Sequence, residues 1–165
     1  MPERTALYPG SFDPPTYAHL DLIQRATRIF DHLVVAVAHN QAKEALFSVE
    51  DRREMLSAIT KNLPGVAVTS FTGLTAEFAR QLRAIAIVRG LRAISDFEFE
   101  HSMAVTNQKL NSEVDTVCLM PSEAFLFLSS RVVKEIARFG GDVSPFVPPI
   151  VAEHLRRRLH EVQKP

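Results

Sequence analysis

Near the start of the chain a glycine–proline turn, a serine, a threonine and a histidine fall within one short stretch, Tyr8-Pro9-Gly10-Ser11-Phe12-Asp13-Pro14-Pro15-Thr16-Tyr17-Ala18-His19. A short apolar run (Ala6, Leu7) precedes it, and a helical pattern with Leu20, Ile23, Thr27 and Phe30 comes after it. A strand, a turn and a helix that opens on a histidine form a corner suited to phosphate. The first N–H groups of a helix lack intrahelical partners and carry positive partial charge, so an anion docks there. A protonatable imidazole in that first turn can contact a phosphoryl group. Neither Gly-x-Gly-x-x-Gly nor Gly-Lys-Ser/Thr is present, which excludes the dinucleotide fingerprint and the P-loop.

Further chemistry-bearing side chains recur at intervals: Lys43, Thr75, Arg89, Arg92, Ser129 and Ser130. Arg89, directly after an apolar strand, is a charge that must leave the core with a partner, whereas others have a plain reading alone. Lys43 is a solvated loop cation, Arg92 pairs with Asp96 four residues on, and Ser129 or Ser130 caps a helix. What matters is where they fall along the chain. Apolar runs at 33–38, 66–69, 84–88 and 116–120 read as strands, and helical patterns lie between them. Ser48 before Val49-Glu50-Asp51 is an N-cap for a helix to about Asn62, Leu74 to Leu82 is helical, and so is Asp96 to Leu110. Gly140-Gly141 ends a helix that begins at Ser129 or Ser130, and Pro148-Pro149 opens the last one.

Alternation of strands and helices predicts an α/β fold, a doubly wound, Rossmann-like five-stranded parallel sheet with helices on both faces. Residues 1–165 are read as one domain. In such sheets ligands bind beyond the carboxyl ends of the strands. The loops there carry His19, Lys43, Arg89, Arg92 and the Ser129-Ser130 helix start, so one rim is expected to gather cations suited to a ligand with several phosphates.

Composition narrows the classes. Lys+Arg and Asp+Glu are both 19, so no general basic field exists for nucleic acid. Arg156, Arg157 and Arg158 lie near the end of the last helix, where they complement its dipole. No apolar run is long enough for a membrane span and no signal peptide is visible, so a cytoplasmic protein is expected. The single cysteine, Cys118, sits in an apolar run and is expected to be a buried, inert thiol. No metal-binding cluster of fixed spacing and no Ser–His–Asp or Cys–His arrangement stands out.

With these residues in view, the chain resembles the bacterial phosphopantetheine adenylyltransferases of the nucleotidyltransferase superfamily. The likeness runs from about Thr5 to Leu159 and rests on Tyr-Pro-Gly-Ser-Phe-Asp-Pro (8–14), Arg-Gly-Leu-Arg-Ala (89–93), Asp-Phe-Glu-Phe-Glu (96–100), Leu-Met-Pro-Ser (119–122), Val-Lys-Glu (133–135) and Gly-Gly-Asp-Val (140–143). The resemblance implies transfer of AMP from ATP to 4′-phosphopantetheine, giving dephospho-coenzyme A and pyrophosphate with Mg²⁺, the metal being carried by the ATP phosphates. It implies a homohexamer, inhibited by coenzyme A.

The same resemblance implies residue roles. Ser11, Phe12 and His19 fall at the ATP phosphates, with Gly90, Leu91, Arg92, Glu100 and the stretch Phe125, Leu126, Phe127, Leu128, Ser129, Ser130 and Arg131 completing the nucleotide site. Ser11, Lys43, Thr75 and Arg89 fall at the phosphopantetheine. His19, Lys43 and Arg92 are the expected catalytic groups, with His19 stabilising the transition state. Two departures stand out: Ala18 where the family has glycine before the histidine, and Arg131 where it has a third serine. Two neighbouring readings are an adenylyltransferase acting on another acceptor, such as nicotinate mononucleotide, and a non-catalytic coenzyme A or nucleotide sensor.

Overall fold

A computed structural model describes residues 3–39 and 44–162. Its sheet is entirely parallel, with strands β1 (Thr5–Gly10), β2 (His32–Ala38), β3 (Val66–Phe71), β4 (Ala86–Gly90) and β5 (Asp115–Leu119) in the order β3-β2-β1-β4-β5. Helices α1 (Tyr17–Ala26), α2 (Val49–Thr60), α3 (Thr75–Gln81) and α4 (Ile94–Leu110) make the crossovers. A short 3₁₀ turn (Glu123–Phe125), α5 (Ser130–Arg138) and α6 (Pro149–Val162) come after the last strand. The expected α/β architecture is what the chain adopts.

Alternate strand residues supply the two faces. Tyr8, Val35, Val37 and Val88 pack beneath α1 and α2 with Phe12, Leu22, Ile23 and Leu56. Leu7, Ala36 and Ile87 face the other way, against Phe71, Ala79 and Val114. A third cluster joins α5 and α6 to α2 through Met55, Leu128, Val133, Val151 and Leu155. No helix among the described residues is long and apolar enough to cross a membrane.

Several boundaries differ from the sequence reading, each for a local reason. Strand β1 runs on through Tyr8-Pro9-Gly10, since all three pair in register with β2. Helix α1 stops at Ala26, and Phe30 packs from the connection beyond it. Cys118 is exposed, contrary to expectation: β5 is an edge strand with one side uncovered. Partial burial and, after it, the nearby Glu100 carboxylate push its thiol pKa up, which keeps it in the less reactive protonated form.

Strands β2 and β3 lie on one side of β1, and β4 and β5 on the other. The order therefore reverses between β1 and β4, the place where a crevice opens at the carboxyl ends of an open α/β sheet.

Candidate active site

A cavity of about 280 Å³ opens at that reversal. Its walls come from the β1 corner (Gly10, Ser11, Phe12), the start of α1 (Ala18, His19), the end of β4 and the loop beyond it (Arg89, Gly90, Arg92), Glu100 of α4, and Leu128, Ser129 and Ser130 at the start of α5. Segments far apart in sequence thus meet at one point, as the positions of the loops lead one to expect.

The corner is shaped by Phe12. Its backbone has φ of +48°, an uncommon conformation for a bulky residue, and its ring folds back over Gly10. A Cβ on Gly10 would lie 2.9 Å from that ring, so only glycine fits. The Phe12 ring meets Tyr8 and His19 edge-on, with centroids 5.3 and 5.0 Å away. Gly90 answers a second close approach, since a Cβ there would lie 2.8 Å from the Leu22 side chain. That contact lets α1 sit tightly against the end of β4.

His19 is fixed by its own helix start. Thr16 is the N-cap, and its hydroxyl accepts from the His19 N–H at 3.4 Å. In return the Thr16 backbone N–H donates to Nδ1 of His19 at 3.0 Å. A backbone N–H can only donate, so Nδ1 is an acceptor and the neutral ring carries its proton on Nε2. Burial, with Arg92 and Arg89 nearby, lowers the His19 pKa to about 4. The group at the helix mouth is therefore a neutral N–H donor at neutral pH.

The two arginines are held differently. Arg89 makes a two-pronged pair with Glu100, Nε and Nη2 each 2.8 Å from a carboxylate oxygen, and donates to the Pro9 carbonyl at 2.9 Å. Burial works against its charge, but Glu100 more than offsets this and its pKa is raised. Arg92 is freer. It contacts Asp96 at 3.4 Å, the pairing expected from spacing alone, and donates to the Leu128 carbonyl at 3.0 Å. That second bond ties it to the α5 approach.

Helix α5 points its start into the cavity. Ser129 caps it, accepting from the Val132 N–H at 3.2 Å, and the Ser130 hydroxyl donates to the Pro14 carbonyl at 2.7 Å. Farther along α1, Asp21 accepts from both the N–H and the hydroxyl of Ser122, at 3.0 and 2.6 Å. Arg25 donates to the Met120 carbonyl. Together they pin the Leu-Met-Pro-Ser segment over α1.

Ser11, Phe12, His19, Arg89, Gly90, Arg92, Glu100, Leu128, Ser129 and Ser130 line the cavity together. Leu91, Phe125, Leu126, Phe127 and Arg131 flank it without forming its wall: Phe125 stacks on Tyr17 at 6.2 Å, Phe127 meets Phe146, and Arg131 is exposed. Thr75 opens α3 beyond β3, on the same rim but two strands from β1. Lys43 lies outside the described residues. Ala18 is buried within the first turn of α1 and packs with the Phe47 and Leu128 cluster, so its methyl is accommodated on helical backbone.

Four residues of consequence escape a reading by sequence: Asp13, Asp21, Arg52 and Lys134. Asp13 and Lys134 stand inside motifs, yet their pairing spans 121 positions and leaves no periodic trace. Asp21 and Ser122 are likewise 101 apart.

The cytidylyltransferase-like family matches residues 7–136 of the chain. The phosphopantetheine adenylyltransferase of Caldanaerobacter subterraneus subsp. tengcongensis is 53% identical over 156 residues, 94% of this chain and 98% of that protein. The one from Synechococcus sp. strain RCC307 is 56% identical over 156 residues, 94% of each chain. Among solved structures, a putative nicotinate-nucleotide adenylyltransferase from Vibrio parahaemolyticus superposes with a TM-score of 0.73 at 15% identity, covering 96% of both chains. A Plasmodium falciparum nicotinic acid mononucleotide adenylyltransferase complexed with NaAD gives 0.60 at 14% identity, over 94% of this chain and 96% of that one. At such identities the structural likeness shows the fold alone.

Proposed function

This chain belongs to the phosphopantetheine adenylyltransferase family, and from that premise we propose how its rim cavity performs the family's reaction. The reaction transfers AMP from ATP to 4′-phosphopantetheine and yields dephospho-coenzyme A and pyrophosphate. One observation supports the mechanism most: a neutral Nε2–H donor, two arginines and a helix start converge on one cavity.

The acceptor brings its own nucleophile, an oxygen of its 4′-phosphate. That oxygen attacks the α-phosphorus of ATP in line with the departing pyrophosphate, one P–O bond forming as the other breaks. No protein group needs to become covalently attached. The task of the site is to bring two anions together and to stabilise charge on the α-phosphoryl and leaving oxygens. His19 Nε2–H and Arg92 serve those oxygens, with the α5 amides at the nucleotide phosphates. Ser11 stands between the two substrates. Arg89, held rigid by Glu100, presents its remaining N–H donors to the phosphopantetheine phosphate, where Lys43 and Thr75 join it.

Magnesium, in this reading, comes on the phosphates of ATP and offsets their charge. The two carboxylates lining the cavity, Asp96 and Glu100, are each engaged by an arginine. Phosphate oxygens and water are therefore its natural ligands. Coenzyme A is the product with one more phosphate, and in this reading it competes for the same cavity as a feedback inhibitor. Helix α4 leaves Ile94, Phe97, Phe99, Val105 and Leu110 exposed, which supports a contact between copies of the chain; the homohexamer itself is carried over from the family resemblance. The reaction belongs in the cytoplasm, where ATP is supplied.

The stereochemical course tests the direct transfer. With ATP made chiral at the α-phosphorus, a single in-line displacement inverts the configuration in dephospho-coenzyme A. Retention would require a covalent adenylyl-enzyme and would overturn the mechanism.

A further inference from the structure

The charged residue pair that ties the β1 corner to α5 has no part in the reaction as described. Asp13 is almost fully buried, at 6% exposure. Its two oxygens accept from the Phe47 N–H at 2.9 Å, the Leu46 N–H at 3.0 Å and Nζ of Lys134 at 2.8 Å. Lys134 lies one turn after Ser130 on α5, so both project from the same face. That face docks on two consecutive residues, Ser130 on the Pro14 carbonyl and Lys134 on the Asp13 carboxylate. Below them Arg52 holds the corner from the other side, donating to the Ser11 carbonyl at 2.8 Å and the Ser48 carbonyl at 3.1 Å.

The pair also borders open space. A second hollow, of about 190 Å³, is lined by Ser11, Asp13, Arg52, Ser130 and Lys134. Ser11 and Ser130 line the main cavity as well, so the ion pair sits directly behind the gap between them.

We propose that Asp13 and Lys134 form a positioning pair for phosphoryl transfer, one that sets the start of α5 against the Ser11 corner without touching substrate. The inference rests on the AMP-transfer reading above. A buried ion pair gives fold stability little that apolar neighbours of like volume would not. What it adds is register. Ser130 alone is a single hydrogen bond about which α5 can pivot, and the second anchor one turn later removes that freedom. A misplacement of about 1 Å at a transferring phosphoryl group is enough to lower turnover on the order of a hundredfold. Charge balance acts in the same direction, since without its lysine Asp13 would keep only the Leu46 and Phe47 N–H donors and lose its paired cation behind the phosphate site.

Steady-state pyrophosphate release, measured with melting temperature on wild type, Lys134→Met, Lys134→Arg and the double variant Asp13→Asn/Lys134→Met, tests the proposal. Lys134→Met is expected to lower kcat by about 30-fold or more and to raise KM for ATP, leaving KM for phosphopantetheine nearly unchanged. Lys134→Arg should recover kcat to within about threefold, because the charge and anchor return. The double variant, neutral at both positions, should melt near wild type and stay slow. It carries the test if Lys134→Met fails to fold. Wild-type kinetics in Lys134→Met, or a double variant restored in both stability and kcat, would make the pair merely structural and overturn the inference. Inactive wild type would instead remove the AMP-transfer reading itself.

Discussion

Replacing His19 with alanine is expected to lower turnover by about two to three orders of magnitude, with ATP affinity much less affected. The expectation comes from the ring's state as well as its place. The Thr16 N–H at 3.0 Å occupies Nδ1, so the only proton available to substrate is on Nε2. A donor aimed at charge that develops in the transition state contributes to kcat more than to ground-state binding. Near-normal turnover in His19→Ala would remove the residue from the mechanism.

The same histidine predicts how stability varies with acidity. Its folded pKa of about 4 is below the usual 6.5, so between those values the unfolded chain binds the proton more readily. The free protein therefore loses stability as pH falls from about 6.5 towards 4, and this contribution levels off below 4. His19→Asn keeps an acceptor for the Thr16 N–H but cannot titrate. Its stability profile, measured by urea unfolding across that range, should be flatter than that of wild type.

The second large effect is at Arg89. Changing it to methionine removes the phosphate ligand proposed above and also strands Glu100, whose side chain is 9% exposed and whose two oxygens both accept from this arginine. An uncompensated buried carboxylate is destabilising by about 3 to 5 kcal/mol. Arg89→Met should thus both lower the unfolding free energy by that amount and raise KM for phosphopantetheine by about a hundredfold. Adding Glu100→Gln separates the two roles. The pair of changes should restore much of the stability, because no buried charge remains, while phosphopantetheine binding stays weak. Recovery of both would mean that Arg89 acts only through the fold.

How much of the fold and the site is legible in the sequence depends on the range of the interactions. Apolar runs alternating with helical patterns are enough for the parallel sheet, because each strand and helix signals itself within a few residues. The rule that ligands sit beyond strand ends then places His19, Arg89, Arg92 and Ser130 on one rim, where the cavity lies. Periodicity does not report side-chain partners between distant segments. Glu100 reads as a nucleotide contact by family resemblance, and its grip on Arg89 in the folded chain is a partner that no local pattern reports. The tautomer of His19 depends on a backbone N–H three residues back, and neither composition nor spacing specifies it. The exposure of Cys118 is hidden from the sequence because an apolar run looks the same at the edge of a sheet as at its centre.

Pyrophosphate release with ATP, Mg²⁺ and a choice of acceptors tests the central claim most directly. Release that depends on 4′-phosphopantetheine, with dephospho-coenzyme A as the product and no comparable rate on nicotinate mononucleotide, is the result expected of this site. Binding of coenzyme A without any phosphopantetheine-dependent pyrophosphate would contradict it and leave a sensor in place of an enzyme.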